Sequence, residues 1–583
     1  MRKNVFCLLA VAAVAAGCSK DDIFSSTSTS GSTSSSAPST DTDRYYNDED
    51  DISNTAFDRT ISIVWSSSGV TVSGDDNSVV SVSGTDVTVN NTGTTEKVKY
   101  DLSGSCSSGS LKIYSNNKQA LYLNGLSLTN PSGAAINNQG KKRCFVVVDG
   151  TNSLADGSTY TYSGDEDEKA AFFSEGQLIF SGSGTLTVTA TGKSGITSDD
   201  YLRFTAPTIK VTSSAGHGIR GKDAVAIDAG TIEVSVSAAM KKGITSDSLV
   251  VFNGGATTVK ATGGVAYDDD DKEYKASAGV KADQVFKMND GTLTVTNSGQ
   301  GGKGIAGDAV AYFNDGTVNV TVTGNNYGSS GGGMGPGGMG GGGGMGPRAT
   351  TTDNTKSAKG IKFDGDINFN GSTVNVSATN HEGIESKGAL TITAGTVYSH
   401  SAADDAINSA KDLTITGGNV CGYSSGNDGI DANGNCYIKG GFVYAICSGS
   451  PEVGIDANTE GGYKLYLSGG TVIAIGGLES GSSLSQSCYS ASSWNKSTWY
   501  SITVDNTTHA FKTPSSGGSG LVVSGSSQPS VQSGVTTSGG TAIWDSMGVL
   551  DCSASGGSSV SLSTYSSGGG MGGGGGMGGR GGW

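Results

Sequence analysis

The sequence predicts an all-β chain wound into a parallel β-helix of about 12 coils of ~23 residues, with β-rich caps at both ends. Three observations carry that expectation. The composition favours strands and turns over helices: 95 Gly against 8 Pro, 15% charged residues, and abundant Thr, Ser and Val. A Gly-Ile-like phrase recurs as "SGITSDDYLRF", "HGIRGKDAVAI", "KGITSDSLVVF", "AGVKADQVFKM", "KGIAGDAVAYF", "KGIKFDGDINF", "EGIESKGALTI", "DAINSAKDLTI", "DGIDANGNCYI" and "VGIDANTEGGYKLYL". Its first residues are Gly195, Gly218, Gly243, Gly279, Gly304, Gly360, Gly383, Ala406, Gly429 and Gly454, spaced 23, 25, 36, 25, 56, 23, 23, 23 and 25 apart. Finally, Ile384, Ile407 and Ile430 fall in step at 23 residues, as do Ile392, Ile415 and Ile438, and Val397, Val420 and Val443.

Each unit also carries a phrase such as "GTLTV" or "GTVNV", so one repeat holds three short apolar segments separated by turns. Alternation such as Val374, Asn375, Val376 turns one face inward and the other outward. A single coil cannot bury its inner face, whereas stacked coils bury it continuously. At the spacing of neighbouring strands, twelve coils make a rod on the order of 60 Å long.

The elements follow in chain order. Residues 1–17, "MRKNVFCLLAVAAVAAG", combine Arg2 and Lys3 with an apolar run too short to span a bilayer. They resemble a bacterial lipoprotein signal peptide, which implies lipidation of Cys18 and an anchored, non-spanning protein. "SKDD" at Ser19 to Asp22 is similar to the export signal of Bacteroidetes surface lipoproteins and implies an outer-membrane, cell-surface location; a solvated linker is the alternative. Residues 18–55, Ser-rich and then acidic ("NDEDD"), read as a disordered tether.

Residues 56–130 read as an N-terminal β cap with the first coils, 131–480 as the β-helix, and 481–566 as a C-terminal β cap. The long spacings are loops: "YDDDDKEY" in one and a Gly/Met-rich excursion, 324–358, in the other, echoed by a Gly/Met-rich tail at 567–583. Of the nine cysteines, seven lie beyond the signal and Cys18, without zinc-ligand spacing.

A formal net charge of −16 argues against a nucleic-acid partner. Stacking converts repeated positions into columns, and there the charge changes sign. Before the Gly-Ile pair stand Ser194, His217, Lys242, Ala278, Lys303 and Lys359, then Glu382, Asp405 and Asp428. In the earlier coils Asp247, Asp283, Asp308 and Asp364 are placed to neutralise the lysines in a surface ladder. In the later ones Glu382, Glu385, Asp404, Asp405, Asp428, Asp431 and Asp456 accumulate with Asn408 at hand.

Carboxylates on adjacent strands repel, and raised pKa values or a bound cation relieve them. Several hard oxygen ligands suit Ca2+, so Glu382, Glu385, Asp404, Asp405, Asn408, Asp428, Asp431 and Asp456 are the expected metal residues. A solvated acidic face and a catalytic carboxylate set are the alternatives. Tyr398 and Tyr444, in one outward column, and nearby Tyr423 are the expected sugar-stacking residues, with ordinary strand aromatics as the alternative.

From about Lys97 to Gly477, "LNGLSLTNPSGAAINN", "GSGTLTVTATGKSGITSDDYLRF", "HGIRGKDAVAI", "EGIESKGALTITAGTV" and "DDAINSAKDLTITGG" resemble a family of right-handed β-helix, carbohydrate-binding proteins whose clostridial members bind cellulose-like and polygalacturonate-like polymers. The resemblance implies a fold shared with pectate lyases, bound calcium, and polysaccharide adhesion without an established lyase activity. The family pattern favours an acid before the Gly-Ile pair. Glu382, Asp405 and Asp428 match it, whereas Lys242, Lys303 and Lys359 depart from it.

The expected function is therefore an adhesin-like, calcium-assisted polysaccharide-binding lipoprotein, for acidic or cellulose-like glycans. A calcium-dependent lyase or a glycoside hydrolase is the runner-up and a structural surface protein the third reading. No catalytic residue stands out. Lys387, Lys411 and Lys439 read as solvated turn cations, and "DDAI" and "AGHGI" stand in the wrong order for a polygalacturonase-like pair, with His217 a turn residue.

Overall fold

A computed structural model describes residues 40–41, 44–161, 166–328 and 355–567. The expected lipidation site Cys18, the signal peptide, most of the Gly/Met-rich loop and all but the first residue of the tail lie outside these residues. Among the described residues the only helical elements are two 3-10 turns, Asp48–Asp50 and Ile52–Asn54, and no helix is long and apolar enough to cross a membrane.

The chain forms a parallel β-helix. One coil consists of Ile384–Ser386, Leu390–Ile392 and Thr396–Ser401, and the next of Ile407–Ser409, Leu413–Ile415 and Asn419–Ser424. These strands stack into three faces. The first, made by the Gly-Ile strands, is a sheet of 14 strands. The molecule thus has about fourteen turns where twelve were expected, because regular strands such as Asp86–Asn91 and Ser110–Ser115 carry no Gly-Ile phrase to count.

The 23-residue register is present as read: Ile384 pairs with Ile407 and then Ile430, Ile392 with Ile415 and Ile438, and Val397 with Val420 and Val443. All nine are fully buried in one continuous core.

A close approach explains the glycine of the repeated phrase. A Cβ on Gly218 would lie 2.3 Å from the Val234 methyl of its own coil and 2.6 Å from the Gly243 carbonyl of the next. Where the phrase has Ala406 instead, the strand across the coil offers Gly422 in register with Ser399, so the two positions exchange sizes.

The other two faces are partly covered. Strands Trp499–Val504 and Thr507–Lys512 belong to a six-stranded antiparallel sheet that lies against the third face, while Leu521–Ser524, outside that sheet, pairs antiparallel with Leu465–Ile475 of the last coil. Trp544 stacks on Phe442 at 4.9 Å and donates its indole N–H to the Asn419 carbonyl at 3.2 Å.

The second face is crossed by residues 44–57. The acidic run, expected as a disordered tether, is instead docked here. Asp50, 6% exposed, accepts from Arg143 Nε at 2.8 Å and from the Tyr201 hydroxyl at 2.5 Å, with Arg203 at 3.5 Å. Tyr45, Ile52 and Phe57 pack on an apolar cluster that includes Phe145, Ile179 and Val251. Two arginines supply the charge and the aromatics the apolar surface, across gaps of more than ninety residues that no local pattern spans. All seven described cysteines are unpaired and buried.

Candidate functional site

The acidic turns project from the first face, where parallel pairing sets their side chains at successive heights. Glu385, Asn408 and Asp431 occupy one column by strand register. Glu382, Asp405 and Asp428 form a second, with Gly383 N–H donating to the Asp405 carbonyl and Ala406 N–H to that of Asp428, both at 3.1 Å. Asp456 follows Asp431 through the bridge between Ile430 and Ile455.

The eight expected metal residues fall into two sets of different electrostatics. The first is satisfied within the chain. Lys359 Nζ lies 3.2 Å from Glu382 and also contacts Glu385, whose other oxygen is 2.5 Å from Lys387. Burial pushes Glu385 up, but the two lysines hold it below its ordinary value. His381 contacts Glu382 and sits 2.9 Å from Asp404. Burial acts upward on Asp404 too, yet it stays low beside His381. Lys359, counted by sequence with the basic half, was the missed partner; its separation of 23 residues from Glu382 was the available signal.

The second set has no cation among the described residues. Asp405 and Asp431 share the Asn408 amide, at 2.8 and 3.2 Å, and the Asp428 and Val453 amides donate to Asp405 and Asp428 at 3.2 and 2.6 Å. Burial is the main cause that lifts Asp405 to about 6 and Asp428, Asp431 and Asp456 to about 8. Repulsion from neighbouring carboxylates adds to it, including Glu452 for Asp428 and Asp431 and Glu479 for Asp456. A stack of this kind is all oxygen and under-neutralised, the donor chemistry that fits a hard divalent cation. Asp405, Asp428, Asp431 and Asp456, with Asn408, offer such oxygens at successive heights, whereas the groups of described residues whose ligand atoms converge within 4.8 Å are His381, Glu382 and Asp404, and Asp167, Glu175 and Asp199.

In the basic half the expected ladder is present only in part. Arg220 pairs with Asp247 at 2.7 Å, and Lys281 bridges Asp283 and Asp308 at 2.7 and 2.9 Å. Lys242 and Lys303 instead donate to the carbonyls of Met240 and Gly301. His217 is a turn residue, its Nδ1 accepting from the Lys242 amide at 3.0 Å.

The tyrosines correct the expectation. Tyr398 and Tyr444 do share a column, reached through Cys421, but the C-terminal sheet covers it. Tyr444 is 0% exposed and its hydroxyl donates to the Lys512 carbonyl at 3.0 Å, so it offers no face to a sugar. Tyr398 is half-buried against Met547, and Tyr423 lies 4.6 Å from the His400 ring. Outward alternation in one strand does not reveal what a segment 68 residues later lays over it.

No curated protein matches the chain. Among solved structures, a gadolinium derivative of the polysaccharide lyase-like protein from C. thermocellum is similar at 22% identity and a TM-score of 0.33, over 46% of this chain and 92% of that one. Residues 83–247 and 299–406, a little under half of the chain, match the model of a family described as carbohydrate-binding domain-containing protein. The match ends at Ala406, so Asp428, Asp431 and Asp456 lie beyond it. Over those two stretches this β-helix is similar to the carbohydrate-binding domain-containing proteins.

Proposed function

We propose that the protein binds polysaccharide at the cell surface as an outer-membrane lipoprotein anchored through Cys18, with Ca2+ held in its acidic turns. The observation that carries the polysaccharide reading is the match of 83–247 and 299–406 to the carbohydrate-binding domain-containing model. The calcium reading is supported by the four raised carboxylates Asp405, Asp428, Asp431 and Asp456. Bound Ca2+ would neutralise them and offer a Lewis-acidic contact to glycan oxygens. The anchor is supported by the signal-like N-terminus and Cys18.

The test is co-sedimentation of the soluble protein with insoluble cellulose and with polygalacturonate, with and without EDTA, while absorbance of unsaturated product is followed. Retention without product is expected. Failure to be retained on any glycan would sink the reading, and appearance of product would move the protein to the lyases.

A further inference from the structure

We propose that a cellulose-like glycan chain lies along the open part of the second face, on a ladder formed by Tyr312, Asn368, Thr391, Thr414, Tyr437 and Tyr466. This rests on the polysaccharide reading above and names the surface that performs it.

Strand register places these six side chains in one column over consecutive coils. Their strand neighbours, such as Leu390 and Ile392 or Leu413 and Ile415, are fully buried, so the six point outward. Five steps at the spacing of neighbouring strands give a strip about 24 Å long, enough for several sugar units.

Toward the N-terminus the same column continues through Lys287 to Val251, Ala226, Arg203, Ile179 and Phe145. Those last five are buried where residues 45–57 pack on the face. The character of the column changes where that segment ends. The covered part is mostly apolar and Tyr312 packs on its edge; beyond it stand the Asn368 amide, which donates to the Ala311 carbonyl at 3.3 Å, two threonine hydroxyls and two tyrosines.

At its far end Tyr437 and Tyr466 are stacked, with centroids 5.1 Å apart and planes 13° from parallel. If the planes are in van der Waals contact at about 3.5 Å, the rings are displaced sideways by about 3.7 Å. Tyr437 also carries Lys439 Nζ over its ring at 4.9 Å, so Tyr466 is the outermost ring of the ladder. Tyr466 is 36% exposed, and Ser483, its partner in the next strand, is small and exposed. Tyr463 is 42% exposed in the preceding turn. Large exposed aromatics on a soluble face call for an explanation, unlike scattered small ones.

The chemistry selects the occupant. A pyranose presents C–H groups on its faces and hydroxyls around its rim, which suits aromatic faces flanked by Thr and Asn side chains. The column carries no carboxylate for a cation. Lys439, over the Tyr437 ring at 4.9 Å, is a single charge and does not match a uronate at every sugar. A neutral chain fits best.

The test uses the full chain and co-sedimentation with microcrystalline cellulose. The double variant Tyr437→Ala/Tyr466→Ala is expected to lose at least about tenfold in affinity, and Tyr437→Phe/Tyr466→Phe to stay within about threefold of wild type. Thr391→Glu/Thr414→Glu, which touches no core residue, is expected to lose binding with an unchanged unfolding temperature, so the test survives if the alanine pair folds poorly. Wild-type affinity in both the alanine and glutamate pairs would overturn the ladder while leaving the proposed function standing. So would retention on polygalacturonate alone. Wild-type protein retained on neither polymer would sink the proposed function and the ladder with it.

Discussion

The turn beside the Gly-Ile strands is built once per coil, yet its two halves solve opposite electrostatic problems. From Arg220 to Lys362 it is basic, and acids two residues further on neutralise part of it. From Glu382 to Asp456 it is acidic, and only the first coil of that stretch receives lysines. Lys359 is the joint: it belongs by register to the lysine column yet is paired with acids of the next coil. A solenoid can thus keep one backbone geometry while the ligand chemistry of its surface is rewritten coil by coil.

The comparison is broken most severely at that joint. Lys359→Met should leave Glu382 and Glu385 buried with too little positive charge and cost about 3–5 kcal/mol, read as the midpoint shift in urea unfolding. An unchanged midpoint would mean that water, not Lys359, satisfies those carboxylates.

The acidic half is sharpened by metal. With calcium at a hundredfold above its dissociation constant, stability should rise by about 2.7 kcal/mol, seen as a higher unfolding temperature than in EDTA. Asp428→Asn/Asp431→Asn should unfold later than wild type in EDTA and show no response to calcium. A response that persists in this variant would move the ion elsewhere.

A packing change comes next. A Cβ at Gly422 would lie 2.2 Å from the Gly429 carbonyl, so Gly422→Ala should cost about 1–3 kcal/mol. Calorimetry of the variant decides this, and an unchanged unfolding temperature would show that the Gly429 peptide yields to the methyl.

The basic half is tested by pH. Burial, then repulsion from Lys359 and Lys362, lowers Lys303 to about 7, and burial with nearby lysines lowers Lys242 to about 8, both from 10.5. Above the folded value the unfolded chain binds more protons, so these groups make stability rise with pH between roughly 7 and 10.5 and hold it at its lowest contribution below that window. The rise should be smaller in Lys303→Met than in wild type. Identical pH profiles would show that Lys303 is solvated and ordinary.

What was legible in the sequence is what repeats. Ile384, Ile407 and Ile430 announced their stacking because solenoid neighbours are one period apart, and the charge reversal was visible for the same reason. The pairing of Lys359 with Glu382 lay within reach of the same arithmetic but was hidden by assigning each lysine to its own half. The cover over Tyr444 and the docking of Asp50 were out of reach. Both depend on non-periodic contacts, such as those between Tyr444 and Lys512 and between Asp50 and Arg143, 68 and 93 residues apart.

The segment laid over the second face also has a consequence for the order in which the molecule is completed. Its Arg44 carbonyl accepts from Asn253, 209 residues away, while its other end joins the first hairpin at Arg59–Ser66. Residues 44–57 precede in sequence the coils bearing Arg143, Arg203 and Asn253, so their seat is complete only once those coils have stacked. Their seating is a length gauge: it closes fully only on a rod that has grown past a fixed number of turns, in the correct register throughout.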